Sequence, residues 1–254
     1  MKLEPFIHIG TSGWSYKHWK EIFYPAKMKA TDYLSFYSQH FNIAEINTSF
    51  YHLPKPETVT GWKQKVPEAF MFCPKISRYL THMKKLRDPE ESLIRFFEVF
   101  ETLQSKMGPV LVQLPHMVKF NYDVAEHFYS LLKKAYKKYE FVLEPRHSTW
   151  FDEVSLTLMS KYNIGLVISQ SKEFPYSEII TAKNIYLRFH GPEDLYSSSY
   201  SDEMLNAFVE KFAVWVNEGN RIWVFFNNDI HGHAFRDAKR MIEMVQKKDR
   251  AIRK

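Results

Sequence analysis

Two kinds of hydrophobic pattern alternate along this chain. Short runs rich in apolar and β-branched residues predict strands: FIHIG (6–10), IAEINTSF (43–50), AFMFCPK (69–75), GPVLVQL (108–114), EFVLE (140–144), IGLVIS (164–169), NIYLRFH (184–190) and RIWVFFN (221–227). Between them lie longer stretches with helical spacing, such as AEHFYSLLKKAYKKY (125–139), where Phe128, Leu131, Leu132 and Ala135 share a face. Each strand is followed by enough chain for a helix or a loop plus helix, which predicts βα units and a parallel sheet. Eight such units in about 250 residues are the dimensions of a TIM (β/α)8 barrel, so an α/β, TIM-barrel-like fold is expected. A doubly wound sheet is the alternative, but GTSGWSYKHW (10–19), after the first strand, lacks the G-x-G-x-x-G phosphate turn of that fold. No Gly/Ser linker or composition break divides the chain, so a single domain over 1–254 is expected.

Parity within the strands separates two sets of residues, because successive side chains of a strand point to opposite faces. In NIYLRFH the apolar set Ile185, Leu187 and Phe189 faces the helices, and Tyr186, Arg188 and His190 face the barrel interior. In FVLEPR, Phe141 and Leu143 pack outward while Val142, Glu144 and Arg146 point inward. The same rule groups Glu45 with Asn47 on the second strand, Cys73 with Lys75 on the third, Gln113 on the fourth, and Asn227 with Asp229 at the eighth. Most of these polar positions fall at carboxyl ends of strands, the face that holds the active site in barrel enzymes.

Seven segments carry a resemblance across nearly the whole chain: GTSGWSYKHW (10–19), FNIAEINTSFYHLP (41–54), KISRYLTH (75–82), LVQLP (111–115), EPRHSTW (144–150), YLRFHG (186–191) and FFNNDIHGHA (225–234). In these the sequence resembles the family known as domain of unknown function 72 (DUF72), or YecE-like proteins. The resemblance implies a TIM-barrel-like fold distantly similar to sugar isomerases and endonuclease-IV-type barrels, and it implies no established activity. Relatives often carry an Asp near the end of the sixth strand, where ISQSKEF (168–174) offers Ser169 and Ser171.

Charged groups at a barrel mouth must be paired, hydrated or used. Glu45, Glu144, Lys75 and His190 are the candidate catalytic residues: the carboxylates as acid/base pair, and Lys75 as an amine that pairs with one of them or forms a Schiff base. Arg146, Arg188, Asn47, Gln113, Asn227, Asp229, Tyr51 and Trp14 are the candidate substrate-binding residues. Trp14, Tyr16, Trp19, Phe50, Tyr51 and Trp150 fall in or beside the βα loops, where rings stack on ligands or seal the mouth. The loops 191–201 and 227–234 are candidates for phosphate binding through backbone amides, with ordinary turn chemistry as the alternative.

Hydrolase, lyase or isomerase chemistry on a polar, phosphorylated or sugar-like small molecule is the expected function. An endonuclease-IV-like phosphodiesterase and a non-catalytic ligand-binding module are the alternatives. A divalent metal would find ligand types in His8, Glu45, Glu144, His190, Asp229 and His231, but Lys75, Arg146 and Arg188 weigh against it, and no metal ligand is assigned. The formal net charge of +6 and pI near 9.1 suit anionic partners, either a small molecule or nucleic acid, although clusters such as KKAYKKYE (133–140) and KKDRAIRK (247–254) read as solvated faces. One cysteine, Cys73, excludes an internal disulfide and favours a reducing, cytoplasmic setting. The start MKLEPFIHIG lacks a signal-peptide apolar region, and no run approaches a membrane span, so a membrane partner is not expected.

Overall fold

The computed structural model describes residues 2–252. Among the described residues nine parallel strands form the frame: β1 (Ile7–Thr11), β2 (Ile43–Ile46), β3 (Met71–Pro74), β4 (Val110–Gln113), β5 (Phe141–Glu144), β6 (Ile164–Leu166), β7 (Ile168–Gln170), β8 (Asn184–Phe189) and β9 (Arg221–Phe226). Helices α1 (Tyr33–Tyr37), α2 (Thr48–Tyr51), α3 (Pro56–Gln64), α4 (Glu90–Phe100), α5 (Tyr122–Ala135), α6 (Glu153–Tyr162), α7 (Asp202–Asn217) and α8 (His233–Ile252) fill the crossovers.

The strand order is cyclic. One ladder runs β3-β2-β1-β9-β8-β7 and another β4-β5-β6. Between β3 and β4 the seam is held by isolated bridges, with Gly108 N donating to Phe72 O at 2.9 Å and Ile76 N to Leu111 O at 2.9 Å. The other seam is continuous chain. The expected sixth strand is divided at Val167, whose N–H bonds Leu143 O at 2.9 Å, so that β6 pairs with β5 and β7 pairs with β8. Its two ends serve different neighbours, and the result is the expected barrel-like α/β fold.

The β1–β2 edge is also irregular. The Tyr37 hydroxyl stands between the strands, accepting from Thr11 N at 3.0 Å and donating to Ile43 O at 3.0 Å. It replaces ladder bonds there and satisfies backbone groups that would otherwise be buried without partners.

Parity holds as expected. Ile185, Leu187, Phe189, Phe141 and Leu143 belong to the large cluster packed against the helices. Ile43, Cys73, Leu111, Val142, Val167, Tyr186 and Phe225 form a separate inner cluster. Each of these seven lies two positions before a polar residue (Glu45, Lys75, Gln113, Glu144, Ser169, Arg188 and Asn227), and Trp223, also in the cluster, lies two before Phe225, so an apolar plug directly underlies a polar layer at the carboxyl ends.

Two expectations fail at element ends. The second strand stops at Ile46 because Asn47 turns helical and begins α2. The helix expected over 125–139 runs from Tyr122 to Ala135, capped by Asn121 accepting from Val124 N, and Ala135 is exposed. Its buried face is Ala125, Phe128, Tyr129 and Leu132. Among the described residues no helix is long and apolar enough to cross a membrane.

Candidate functional site

A cavity of about 750 Å³ opens at the carboxyl ends of the strands, within the range of small-molecule sites. Of the residues singled out in the sequence, Asn47, Tyr51, Lys75, Gln113, Arg146, Arg188, Asn227 and Asp229 line it. Glu45, Glu144 and His190 do not; they lie fully buried directly beneath.

The reason is Arg188. It donates Nε to Glu45 Oε1 at 2.9 Å and Nη2 to Glu45 Oε2 at 3.0 Å, and Nη1 to Glu144 Oε2 at 2.8 Å. Glu45 Oε1 also accepts from the Tyr186 hydroxyl at 2.8 Å, and Oε2 from Asn47 Nδ2 at 3.3 Å. Glu144 Oε1 accepts from Arg146 Nη2 at 2.7 Å, Ser169 Oγ at 2.9 Å and His190 Nε2 at 3.1 Å. Burial alone would raise both carboxylates. Arg188, with hydrogen bonds from Ser12 and Tyr186, outweighs it at Glu45 and holds that carboxyl below the usual range, and Arg146 and Arg188, with His190, hold Glu144 well below it. Both are therefore ionised anchors with every oxygen in use. They grip one guanidinium from two sides, where an acid/base pair would flank a ligand.

Ser169 Oγ donates to Glu144 Oε1 near the place where the resemblance led to an expected Asp. A third acid at that place would stand against two anions already sharing the arginines.

His190 is neutral. Asn227 Nδ2 donates to its Nδ1 at 3.1 Å, which leaves the proton on Nε2 facing Glu144. Burial outweighs the carboxylate and pushes the imidazole down to about 4.

Lys75 differs from the arginines. Its Nζ donates to Gln113 Oε1 at 2.8 Å and sits 4.1 Å from the Phe50 ring centroid. Among the described residues no carboxylate lies within ion-pair distance, so the expected pairing with Glu45 or Glu144 is absent: Arg188 occupies both. Burial, with the Arg188 charge adding to it, lowers the amine to about 7, against the weaker pull of the two glutamates. A lysine placed so is divided between ammonium and free amine at neutral pH.

Arg146 packs against Phe174, its guanidinium carbon 3.2 Å from the ring centroid, and its Nε and Nη1 are buried with no acceptor. Phe174 comes from the segment after β7, and with Glu173, Tyr196, His82 and His116 it completes a wall that sequence parity did not reveal. These residues belong to loops, where the strand rule does not apply. Tyr16, Phe50 and Tyr51 line the cavity, whereas Trp14 does not: it packs on Trp62 and Phe72 in the outer core. Trp19 and Trp150 are buried.

Asp229 sits at the rim, 3.3 Å from His18 Nε2, and burial raises its carboxyl. The loop amides expected to hold phosphate are used internally. Gly191 N bonds the Tyr200 hydroxyl, Glu193 N and Asp194 N bond Ser198 Oγ, and Ile230 N bonds Tyr196 O. These loop amides are therefore already bonded within the protein. For a divalent ion the donors do not fit: the glutamate oxygens are filled by cations, and no group of three or more His, Cys, Asp or Glu among the described residues could hold one.

Residues 8–254 match the model of the family described as "Protein of unknown function DUF72". The chain is 26% identical over 234 residues to the UPF0759 protein YecE of Escherichia coli (strain K12), covering 82% of each. It is 23% identical over an alignment of 275 positions to the UPF0759 protein YunF of Bacillus subtilis (strain 168), covering 94% of each. Among solved structures, a DUF72 family protein from Thermotoga maritima MSB8 superposes with a TM-score of 0.82 at 28% identity, over 95% of this chain and 99% of that one. Another from Enterococcus faecalis V583 gives 0.79 at 22% identity, over 94% and 95%, a likeness of fold. With the parallel α/β frame in place and the family match running almost from end to end, this chain belongs to the DUF72 family.

Proposed function

We propose that the protein is an enzyme acting on an anionic, phosphorylated or sugar-like small molecule bound in the mouth of the barrel-like fold, with Lys75 as the group that exchanges protons. The observation that carries this reading is the amine of Lys75, on the cavity wall with a neutral amide as its hydrogen-bond partner while Arg188 holds both glutamates. With Arg146 and Arg188 also lining the wall, the floor offers cationic groups to a ligand, and their counter-charges lie below, out of its reach. A phosphate or carboxylate would be held on that wall by charge-assisted hydrogen bonds. Asn47, Gln113 and Asn227 present amide groups suited to hydroxyls. Glu45 and Glu144 act as positioning residues for the arginines. A metal-dependent phosphodiesterase is the weaker reading, because no group of three or more His, Cys, Asp or Glu among the described residues could hold a metal ion.

Thermal shift tests this. Glucose 6-phosphate, glycerol 3-phosphate, AMP, short DNA and divalent ions are screened in turn, since a ligand of the native state raises its melting temperature by mass action. Stabilisation by a phosphorylated small molecule, lost in Lys75→Ala while the fold is retained, is the expected result. A response to DNA and divalent ions alone would overturn it.

A further inference from the structure

Lys75 closes β3 and is fixed at its backbone as firmly as at its tip. Its N–H bonds Ile46 O at 3.1 Å, and its carbonyl accepts from Ser49 Oγ at 2.6 Å. Its Nζ stands 4.1 Å from the Phe50 ring centroid and donates to Gln113 Oε1. The Gln113 amide is itself oriented, because its Nε2 donates to Leu114 O at 3.2 Å and so leaves the oxygen for the amine. Lys75 Nζ therefore gives one N–H to a neutral acceptor and, once neutral, keeps a lone pair. A lysine kept for electrostatic pairing would have a carboxylate; this one is held against an amide and a ring, on the wall of a cavity. Arg188 and Arg146 share that wall, so an anionic group bound by them would bring the remainder of a small ligand toward the amine.

We propose that Lys75 is a covalent nucleophile that forms an imine with a ligand carrying both an anionic group and an aldehyde or ketone, such as an oxo-acid or a keto-sugar phosphate. This rests on the reading of the mouth as an anion site and narrows the ligand to a carbonyl compound. The Nζ lone pair adds to the carbonyl carbon, giving a carbinolamine. The carbonyl oxygen then departs as water with the two amine hydrogens, and the C=N bond forms in place of C=O. No oxidant or reductant is consumed. Protonated from solvent, the imine withdraws electrons from the adjacent carbon, which places the reaction in the class that makes or breaks a bond next to a carbonyl.

The full chain, incubated at pH 7 with pyruvate or with dihydroxyacetone phosphate and cyanoborohydride, reads the step directly. Hydride reduction fixes the imine as a secondary amine, adding the mass of the probe less one oxygen atom. The expected result is one adduct per chain, mapped to Lys75 and exceeding that on any other lysine by about tenfold or more, because an ordinary lysine near 10.4 is almost wholly protonated at pH 7. Lys75→Met removes it. Label spread over surface lysines, or none with either probe, overturns the proposal. Melting curves with the same probes and no reductant separate the two readings: stabilisation without an adduct removes the imine and leaves the anion site, whereas neither stabilisation nor adduct removes both.

Discussion

Arg188 holds Glu45 in a two-pronged pair, Nε to Oε1 at 2.9 Å and Nη2 to Oε2 at 3.0 Å, with both side chains buried. An ion pair so deep contributes little compared with a well-packed apolar pair, but halving it leaves a charge with no solvent. Arg188→Ala, which strands both Glu45 and Glu144, is expected to cost at least about 3–5 kcal/mol in urea denaturation. Glu45→Gln leaves Arg188 its bond to Glu144 and is expected to cost about 2–3 kcal/mol. The double variant Glu45→Gln/Arg188→Ala should lose less than the sum. An additive result would show that the two side chains are not coupled in solution.

Acid should loosen the fold before the carboxylates titrate. His190 is lowered to about 4 in the folded state, by burial first, from an ordinary value of 6.5. Between those values the unfolded chain takes up a proton that the folded chain refuses, so stability falls as the pH drops from 6.5 to 4, at up to about 1.4 kcal/mol per unit. Below that window the depressed Glu45 and Glu144 continue the loss. Melting temperature against pH is expected to slope in this direction, and His190→Gln, whose amide can still donate to Glu144, should flatten the upper part. An unchanged slope in that variant would remove His190 as its source.

Lys75 gives the opposite end of the pH scale. Its folded value of about 7 lies below the ordinary 10.5, again through burial, so the unfolded chain binds the extra proton between those values and stability rises with pH across that window. Lys75→Met should be more stable than the parent at pH 7, and that advantage should shrink toward pH 10. Affinity for a phosphate ester should move the other way in the parent protein, weakening by up to about tenfold per unit above pH 7 as the ammonium is lost. Calorimetric titration at several pH values measures it; affinity independent of pH would show that Lys75 does not meet the anion.

Gly10 lies where β1 meets β2. A Cβ built there would stand 2.2 Å from Ile43 O and 3.0 Å from the Tyr37 hydroxyl, both fixed parts of the strand contact. Gly10→Ala is therefore expected to cost about 3 kcal/mol or more, at the upper end of overpacking effects, by spreading the two strands. Denaturation of this variant beside Gly61→Ala, where nothing lies within 4 Å of the added carbon, checks it. Equal stabilities would mean that the β1–β2 contact yields easily.

By itself, the sequence determined the strand pattern and the layer that carries the site. Side-chain direction in a strand is a local property of the backbone, so the alternation in NIYLRFH and FVLEPR was enough to send Arg188, Glu144 and Arg146 inward over Tyr186 and Val142. Which charge would meet which was not local. Glu45 and Arg188 are 143 positions apart, and only closure of the sheet brought one guanidinium between two carboxylates. That capture tied both expected acid/base candidates to Arg188, left Lys75 to Gln113, and set the amine apart from the two arginines on the same wall. The division of the sixth strand at Val167, the outward turn of Trp14 and the cover of Phe174 on Arg146 were decided in the same way, since each depends on which neighbour the folded chain presents and not on a repeat along it.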